Sequence, residues 1–230
     1  MQLVIPIVLI LLSYVIGSIP FGLLIVKLKT GKDIREVESG RTGGTNAMRA
    51  AGLGAGIATA AFDILKGFIG MYIARSIMPD AFGLHVLTGL AAILGHNYSI
   101  FLAKRDENGK LVLRGGAGGA PSVGGAIGIW PGSLLIVLPL GILTFFTIGI
   151  ASVTTMAVAL FAIIVFYIRA SEGLMPWAYV WFGIGAEILL VWALRPNLKK
   201  LFTGNERIVK YSLHGWLKAR KEAKEETIKS

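Results

Sequence analysis

Seven stretches of nearly uninterrupted apolar residues limit this chain more than any other feature. The first runs from Leu3 to Val26. At about 1.5 Å of helical rise per residue, it is long enough to cross roughly 30 Å of hydrocarbon. Leu53–Met78 is broken only by Asp63, Lys66 and Arg75, and Phe82–Ala103 ends at Lys104-Arg105. Gly118–Trp130 is short; Gly132–Gly149, Ala151–Ile168 and Met175–Leu194 complete the set. The short segment is a partial or tilted span, or a re-entrant piece beside six spans. Only 16% of the residues are charged, against about 25% in a soluble domain, so the chain lacks the polar surface to face water on all sides. The first stretch has no basic leader and runs into a basic stop instead of a small-residue cleavage site. It is read as a retained span and not as a signal peptide.

The charges say which way the spans run. Residues 27–49 hold Lys27, Lys29, Lys32, Arg35, Arg41 and Arg49, residues 104–114 hold four more basic groups, and residues 195–230 hold ten. With seven spans these three segments fall on one side, which the positive-inside rule makes cytoplasmic. The expected fold is therefore an all-α integral membrane protein of about seven transmembrane helices, N-terminus outside and C-terminus inside. Residues 1–210 form the membrane domain and 211–230 a basic cytoplasmic tail with helical charge spacing. The formal charge of +10 is thereby an orientation signal and a means of receiving anions, not a nucleic-acid signal. The chain has no Cys, which excludes disulfides, thiolate metal sites and a cysteine acyl-enzyme. Three His argue against a histidine-rich metal site, and no metal or cofactor is expected.

Each basic segment carries a polar cluster. The first reads TGKDIREVESGRTGGTNAMRAAG: its glycines let backbone N–H groups approach an anion, Ser39, Thr45 and Asn46 add neutral donors, and Arg49 offers a guanidinium fork. Read without a partner in view, the same stretch is also a polar loop that meets the positive-inside rule. Asp63 and Lys66, three apart on the second span, form either an internal ion pair or part of the site. The second segment opens with His96 and ends at Arg114-Gly115-Gly116-Ala117-Gly118-Gly119, a Gly-rich approach to a helix N-terminus but not a P-loop. The third, RPNLKKLFTGNERIVK, contains Asn197 and Glu206, which a basic lipid anchor leaves unexplained.

In this order and sidedness the clusters resemble the PlsY family of acyl-phosphate:glycerol-3-phosphate acyltransferases, from about Pro6 to Lys210. Thr30–Gly52 is similar to the family's T-G-x-D-I-R…G-S-G-N-x-G-A-T-N-x-x-R. Gly17–Gly22 resembles its G-S-I-P-x-G, Asp63–Gly67 its D-x-x-K-G, Gly95–Phe101 its G-H-x-F-x-x-F, and Asn197…Glu206 its third motif. The resemblance implies a seven-helix bundle that moves a fatty acyl group from acyl phosphate to the sn-1 hydroxyl of glycerol 3-phosphate, releasing lysophosphatidic acid and phosphate at the cytoplasmic face of the cell membrane. It implies catalytic roles for Ser39, Arg49 and Asn197. It implies substrate or phosphate binding by Thr45, Asn46, His96, Arg114, Gly115, Gly116, Gly118 and Ser152, with support from Asp63, Lys66 and Glu206. The partners implied are acyl phosphate, glycerol 3-phosphate and membrane lipid.

Three family groups are missing. The family's G-G-K-G is G-G-A-G here, with Ala117 in place of the phosphate-binding Lys. A His before the third motif is Leu194, and an Arg near Ser152 is Gly149. A stretch, RDENGKLVLR, is inserted between Phe101 and Gly115. These departures leave open a paralogue that acylates another acceptor, or a non-catalytic membrane protein that binds lipid or phosphoester.

Overall fold

The computed structural model describes residues 3–229, with side chains described as far as residue 224. Every apolar stretch is helical. The first is two helices, α1 (Val4–Ser18) and α2 (Phe21–Thr30), broken at Ile19-Pro20. Then come α3 (Gly44–Ala51), α4 (Leu53–Ile77), α5 (Phe82–Asn97), α6 (Gly119–Ile129), α7 (Ser133–Ile148), α8 (Ala151–Ser171), α9 (Ala178–Phe202) and the tail helix α10 (Leu213–Lys229). Among the described residues, four segments are long and apolar enough to cross a membrane: Val4–Thr30, Leu53–Ile77, Ala151–Ser171 and Ala178–Phe202. α5, α6 and α7 are shorter, at 16, 11 and 16 residues.

The expectation of an all-α chain needs one correction. The inserted stretch folds as a two-stranded antiparallel hairpin, β1 (Lys104–Arg105) against β2 (Leu111–Val112), in which Lys104 pairs with Val112. Its turn is built by Asp106, whose Oδ1 accepts from the N–H groups of Asn108 and Lys110, and by Gly109 at φ 75°. Asp106 N–H donates to Lys110 O, so three residues close the hairpin, and Gly109 takes the positive φ that such a loop requires.

The break between α1 and α2 follows from Pro20, which has no N–H to continue the ladder. The carbonyls released there cannot be left bare in an apolar bundle. Ser18 O accepts from the Ser99 hydroxyl and Ile19 O accepts from Lys66 Nζ at 2.9 Å. The N–H of Phe21 turns back to Ile19 O. The kink thus ties the first span to α4 and to the turn after α5.

α6 sits deepest because it is small. Gly67 on α4 faces the Pro121 backbone and Gly124 on α6 faces the Ile64 carbonyl so closely that a Cβ at either position would overlap it. Small residues of this kind let two helices in lipid meet backbone to backbone, where packing and not water exclusion holds them together. The core joins α4, α5, α6, α8 and α9 through Met71, Ile93, Val123, Val158, Phe166, Phe182 and Leu190. The apolar residues left exposed, among them Leu135, Ile142, Phe146, Leu160, Ile188 and Trp192, lie on the outward faces of the bundle. That is the burial pattern of a chain solvated by lipid.

Candidate active site

Three sequence-distant segments meet at one end of the bundle, around a cavity of about 750 Å³. The first is the loop leading into α3. Its Asp33-Ile34-Arg35 turn is pinned by Asp33, which caps the turn by accepting from Arg35 N–H and also pairs with the Arg35 guanidinium. Arg35 holds the Asp33 carboxyl at about 2, below its ordinary value. Asn46 is buried under this loop, and its Nδ2 reaches the carbonyls of Ile34, Val37 and Arg41 at 3.1, 3.0 and 2.8 Å. The resemblance implied substrate binding by Asn46; in the structure its amide nitrogen is spent on the loop's own backbone. Ser39 is exposed at the loop crest and accepts from Arg41 N–H. Thr45 and Arg49 line the cavity. Arg49 has no hydrogen-bond or ion-pair partner among the described residues, and burial, then the nearby Arg207, hold its pKa below the ordinary value.

The second segment is the Gly-rich loop before α6. Gly116 N–H donates to His96 O, and Thr42 N–H donates to Gly115 O. Gly116 lies flat against the His96 imidazole, so that a Cβ there would overlap Nε2; Gly115 meets the His96 carbonyl in the same way. Gly118 takes φ 92° and sets the start of α6. The first N–H groups of a helix have no partner within it, so the α6 N-terminus presents Gly119 and Ala120 to the cavity. Arg114 and Ala117 also line it, and Arg114 is exposed.

The third segment is the end of α9 together with the chain just beyond it. Asn197 Oδ1 accepts from Arg41 and its Nδ2 donates to Glu206 Oε1 at 3.0 Å. Arg207 pairs with Glu38 at 3.1 Å, closing the third segment onto the first. Past Arg207 the chain is strapped over the α7–α8 turn: Val209 N–H donates to Gly149 O, and Ile208 bridges Ile150.

Beneath these loops lies a buried charge cluster. Asp63 Oδ1 pairs with Lys66 Nζ at 2.8 Å and lies 3.5 Å from His96 Nδ1. Asp63 and His96 line the cavity floor, whereas Lys66 is turned away toward Ile19. Ser152, in the first turn of α8, is buried and lines the cavity with its hydroxyl unpartnered.

The same cavity has an apolar flank that sequence patterning does not single out: Ile64, Val123, Leu138, Ile142, Phe145, Phe146 and Val158. Ile142 and Phe146 are about half exposed on α7, so this flank opens sideways, out of the bundle. Arg41, in the sequence one more loop cation, also belongs to the site. It donates to Gly116 O at 3.0 Å, Ala193 O at 2.6 Å and Asn197 Oδ1 at 3.2 Å. Burial lowers its pKa from the ordinary value. The signal available in the sequence is its place inside a run of Gly, Ser and Thr, where a chain-solvating cation has little reason to be.

Comparison with known proteins places the chain in a family. Residues 7–204 match the family described as glycerol-3-phosphate acyltransferase. A glycerol-3-phosphate acyltransferase of Lawsonia intracellularis is 33% identical over 91% of this chain and 98% of its own length. One from Thermus thermophilus is 37% identical over 86% of this chain and 92% of its own. The crystal structure of PlsY (YgiH), an integral membrane glycerol 3-phosphate acyltransferase in its glycerol 3-phosphate form, superposes with a TM-score of 0.72 at 31% identity, covering 88% of this chain and 94% of that one. The lysophosphatidic acid form of that protein gives 0.71 at 29% identity.

Proposed function

Since this chain belongs to the glycerol-3-phosphate acyltransferase family, and is a multi-pass membrane acyltransferase, we propose that it takes its acyl group from acyl phosphate and places it on the sn-1 hydroxyl of glycerol 3-phosphate. The observation that carries this reading is the two-part lining of one cavity. Arg41, Arg49, Arg114 and the α6 N-terminus gather at one end, and an apolar flank on α7 opens sideways at the other. A donor with an anionic head and an alkyl tail is the substrate such a cavity fits. The end carrying the basic segments faces the cytoplasm, in the plasma membrane, as the positive-inside rule requires.

The chemistry asks little of the protein beyond placement. Acyl phosphate is a mixed anhydride with a good leaving group. The sn-1 oxygen attacks the carbonyl carbon, a C–O bond forms, and negative charge develops on the carbonyl oxygen. Collapse breaks the bond to the phosphate oxygen, which leaves with the electron pair. The hydroxyl proton passes to the departing phosphate or to water. Holding two anions and one hydroxyl in register is worth several kcal/mol by orientation alone, of order 7–11 in favourable cases. Fixed donors at the developing charge add to this.

Arg49, without a partner among the described residues, is the fork for a phosphoryl group, and Ser39 offers a hydroxyl on the same cavity. Gly115, Gly116 and Gly118 keep the loop low enough for the α6 N–H groups to reach an anion, and Ser152 is a buried donor on the α8 side. Asn197, with both ends of its amide engaged, is a positioning residue that couples Arg41 to Glu206. Asp63, Lys66 and His96 hold the floor. The test is donor choice: purified protein with glycerol 3-phosphate and either palmitoyl phosphate or palmitoyl-CoA. Acyl transfer from the phosphate alone is expected. Transfer from the thioester at an equal rate would overturn the donor assignment.

A further inference from the structure

Arg41 is the one guanidinium in the cavity that bridges all three polar segments, and its surroundings are unusual for a structural arginine. Its three partners, Gly116 O, Ala193 O and Asn197 Oδ1, are all neutral. No carboxylate lies within ion-pair distance of it among the described residues; Glu206 is reached only through Asn197. A largely buried cation without a counter-charge is costly unless an anion joins it. A guanidinium has five N–H groups. Three serve the protein, and the cavity lies beside the rest.

Its position relative to the Gly-rich loop gives the charge a purpose. Arg41 is bonded to the carbonyl of Gly116, whose peptide leads into Ala117, the site where the family sequence carries its phosphate-binding Lys. In the motif that the first segment resembles, G-S-G-N-x-G, the place of Arg41 is held by a neutral Asn. Across a single hydrogen-bonded contact, a cation is lost from the second segment and gained in the first. We propose that Arg41 supplies the phosphate-binding charge of this site in place of the missing loop lysine, reaching the anion from its seat against the Gly116 carbonyl. The assignment rests on the acyl-transfer reading for the identity of that anion, the phosphoryl group of a substrate. It also gives the third neutral bond a role: Asn197 holds the guanidinium in place beside the loop.

The test is a four-way comparison of wild type, Arg41→Asn, Ala117→Lys and the double variant, assayed with palmitoyl phosphate and glycerol 3-phosphate. Arg41→Asn is expected to lose about 100-fold in kcat/KM, chiefly through KM, as befits one charge-assisted phosphate contact. Adding Ala117→Lys to it should recover most of that loss. A purely structural tether would not be rescued from residue 117. Melting of the detergent-solubilised proteins with and without inorganic phosphate reads the same point without turnover: phosphate should raise the Tm of wild type and of Arg41→Lys, and that of Arg41→Asn by clearly less. Phosphate stabilisation of Arg41→Asn equal to wild type, or a folded double variant no better than Arg41→Asn, would overturn the assignment. A wild type stabilised by phosphate that turns nothing over would instead sink the acyl-transfer reading and leave Arg41 as an anion site.

Discussion

Asn46 and Arg49 stand one turn apart on α3, yet they do opposite work. The Asn46 amide nitrogen is taken by three carbonyls of the loop, although the residue also lines the cavity; Arg49 lines the same cavity with no hydrogen-bond or ion-pair partner among the described residues. Two predictions separate them. Arg49→Ala should abolish acyl transfer, by about 100-fold or more, while leaving the melting temperature near wild type; wild-type rates from that variant would remove it from the site. Asn46→Ala should instead leave buried carbonyls unpaired and lower stability by about 1–3 kcal/mol, read by thermal unfolding in detergent, with activity falling only as the loop loosens. The sequence places both residues in one polar segment, a run of Ser, Thr, Asn and Arg among glycines whose backbone N–H groups can approach an anion. It does not say which of them is taken up by the loop's own backbone. That depends on the pitch at which α3 leaves Gly43, a tertiary fact. Arg41 is hidden for the same reason: a lone cation in a basic loop satisfies the positive-inside rule whether or not it turns toward a cavity.

At the scale of elements, the apolar stretches are legible because lipid tolerates only helices with their backbone bonds satisfied within the segment. What patterning misses are the interruptions. Pro20 splits the first span, and hydropathy alone runs smoothly across it, because Ile19, Pro20 and Phe21 are all apolar. The cost of that split is met by Lys66, a residue legible only as one partner of an i, i+3 pair. Lys66→Met should therefore leave the buried Asp63 with only His96 beside it and the Ile19 carbonyl with only the Phe21 N–H, and destabilise the bundle by roughly 3–5 kcal/mol; the double variant with Asp63→Asn should recover part of it. Equal unfolding temperatures for wild type and Lys66→Met would show that the pair does not hold the kink. The Asp33–Arg35 turn makes a smaller, pH-dependent contribution. Because Arg35 lowers the Asp33 pKa to about 2, the turn's support is fully present above the ordinary carboxylate value and is lost as pH falls through about 2. The turn is partly exposed, so the effect is below about 1 kcal/mol. Asp33→Asn should be slightly less stable than wild type at neutral pH, with the difference shrinking between about pH 4 and pH 2.

For the whole molecule, three basic segments far apart in sequence converge on one cavity, while apolar helices below supply its flank. The sequence makes the convergence legible through charge alone: if the segments share a side of the membrane, they are close enough to share a site. The lateral opening on α7 is not legible, since Ile142 and Phe146 look like any lipid-facing residues. Sidedness can be checked cleanly because the chain has no Cys. A single Cys at Asp80 should react with a membrane-impermeant maleimide in intact cells, whereas one at Lys110 should react only after permeabilisation; the reverse pattern would invert the topology. The central claim is that this cavity joins an acyl phosphate to glycerol 3-phosphate. The most direct measurement is phosphorus NMR of the purified protein with both substrates. Equimolar appearance of inorganic phosphate and 1-acyl-glycerol 3-phosphate is the predicted result. Phosphate released without the acylated product, or an unchanged spectrum from folded protein, would contradict it.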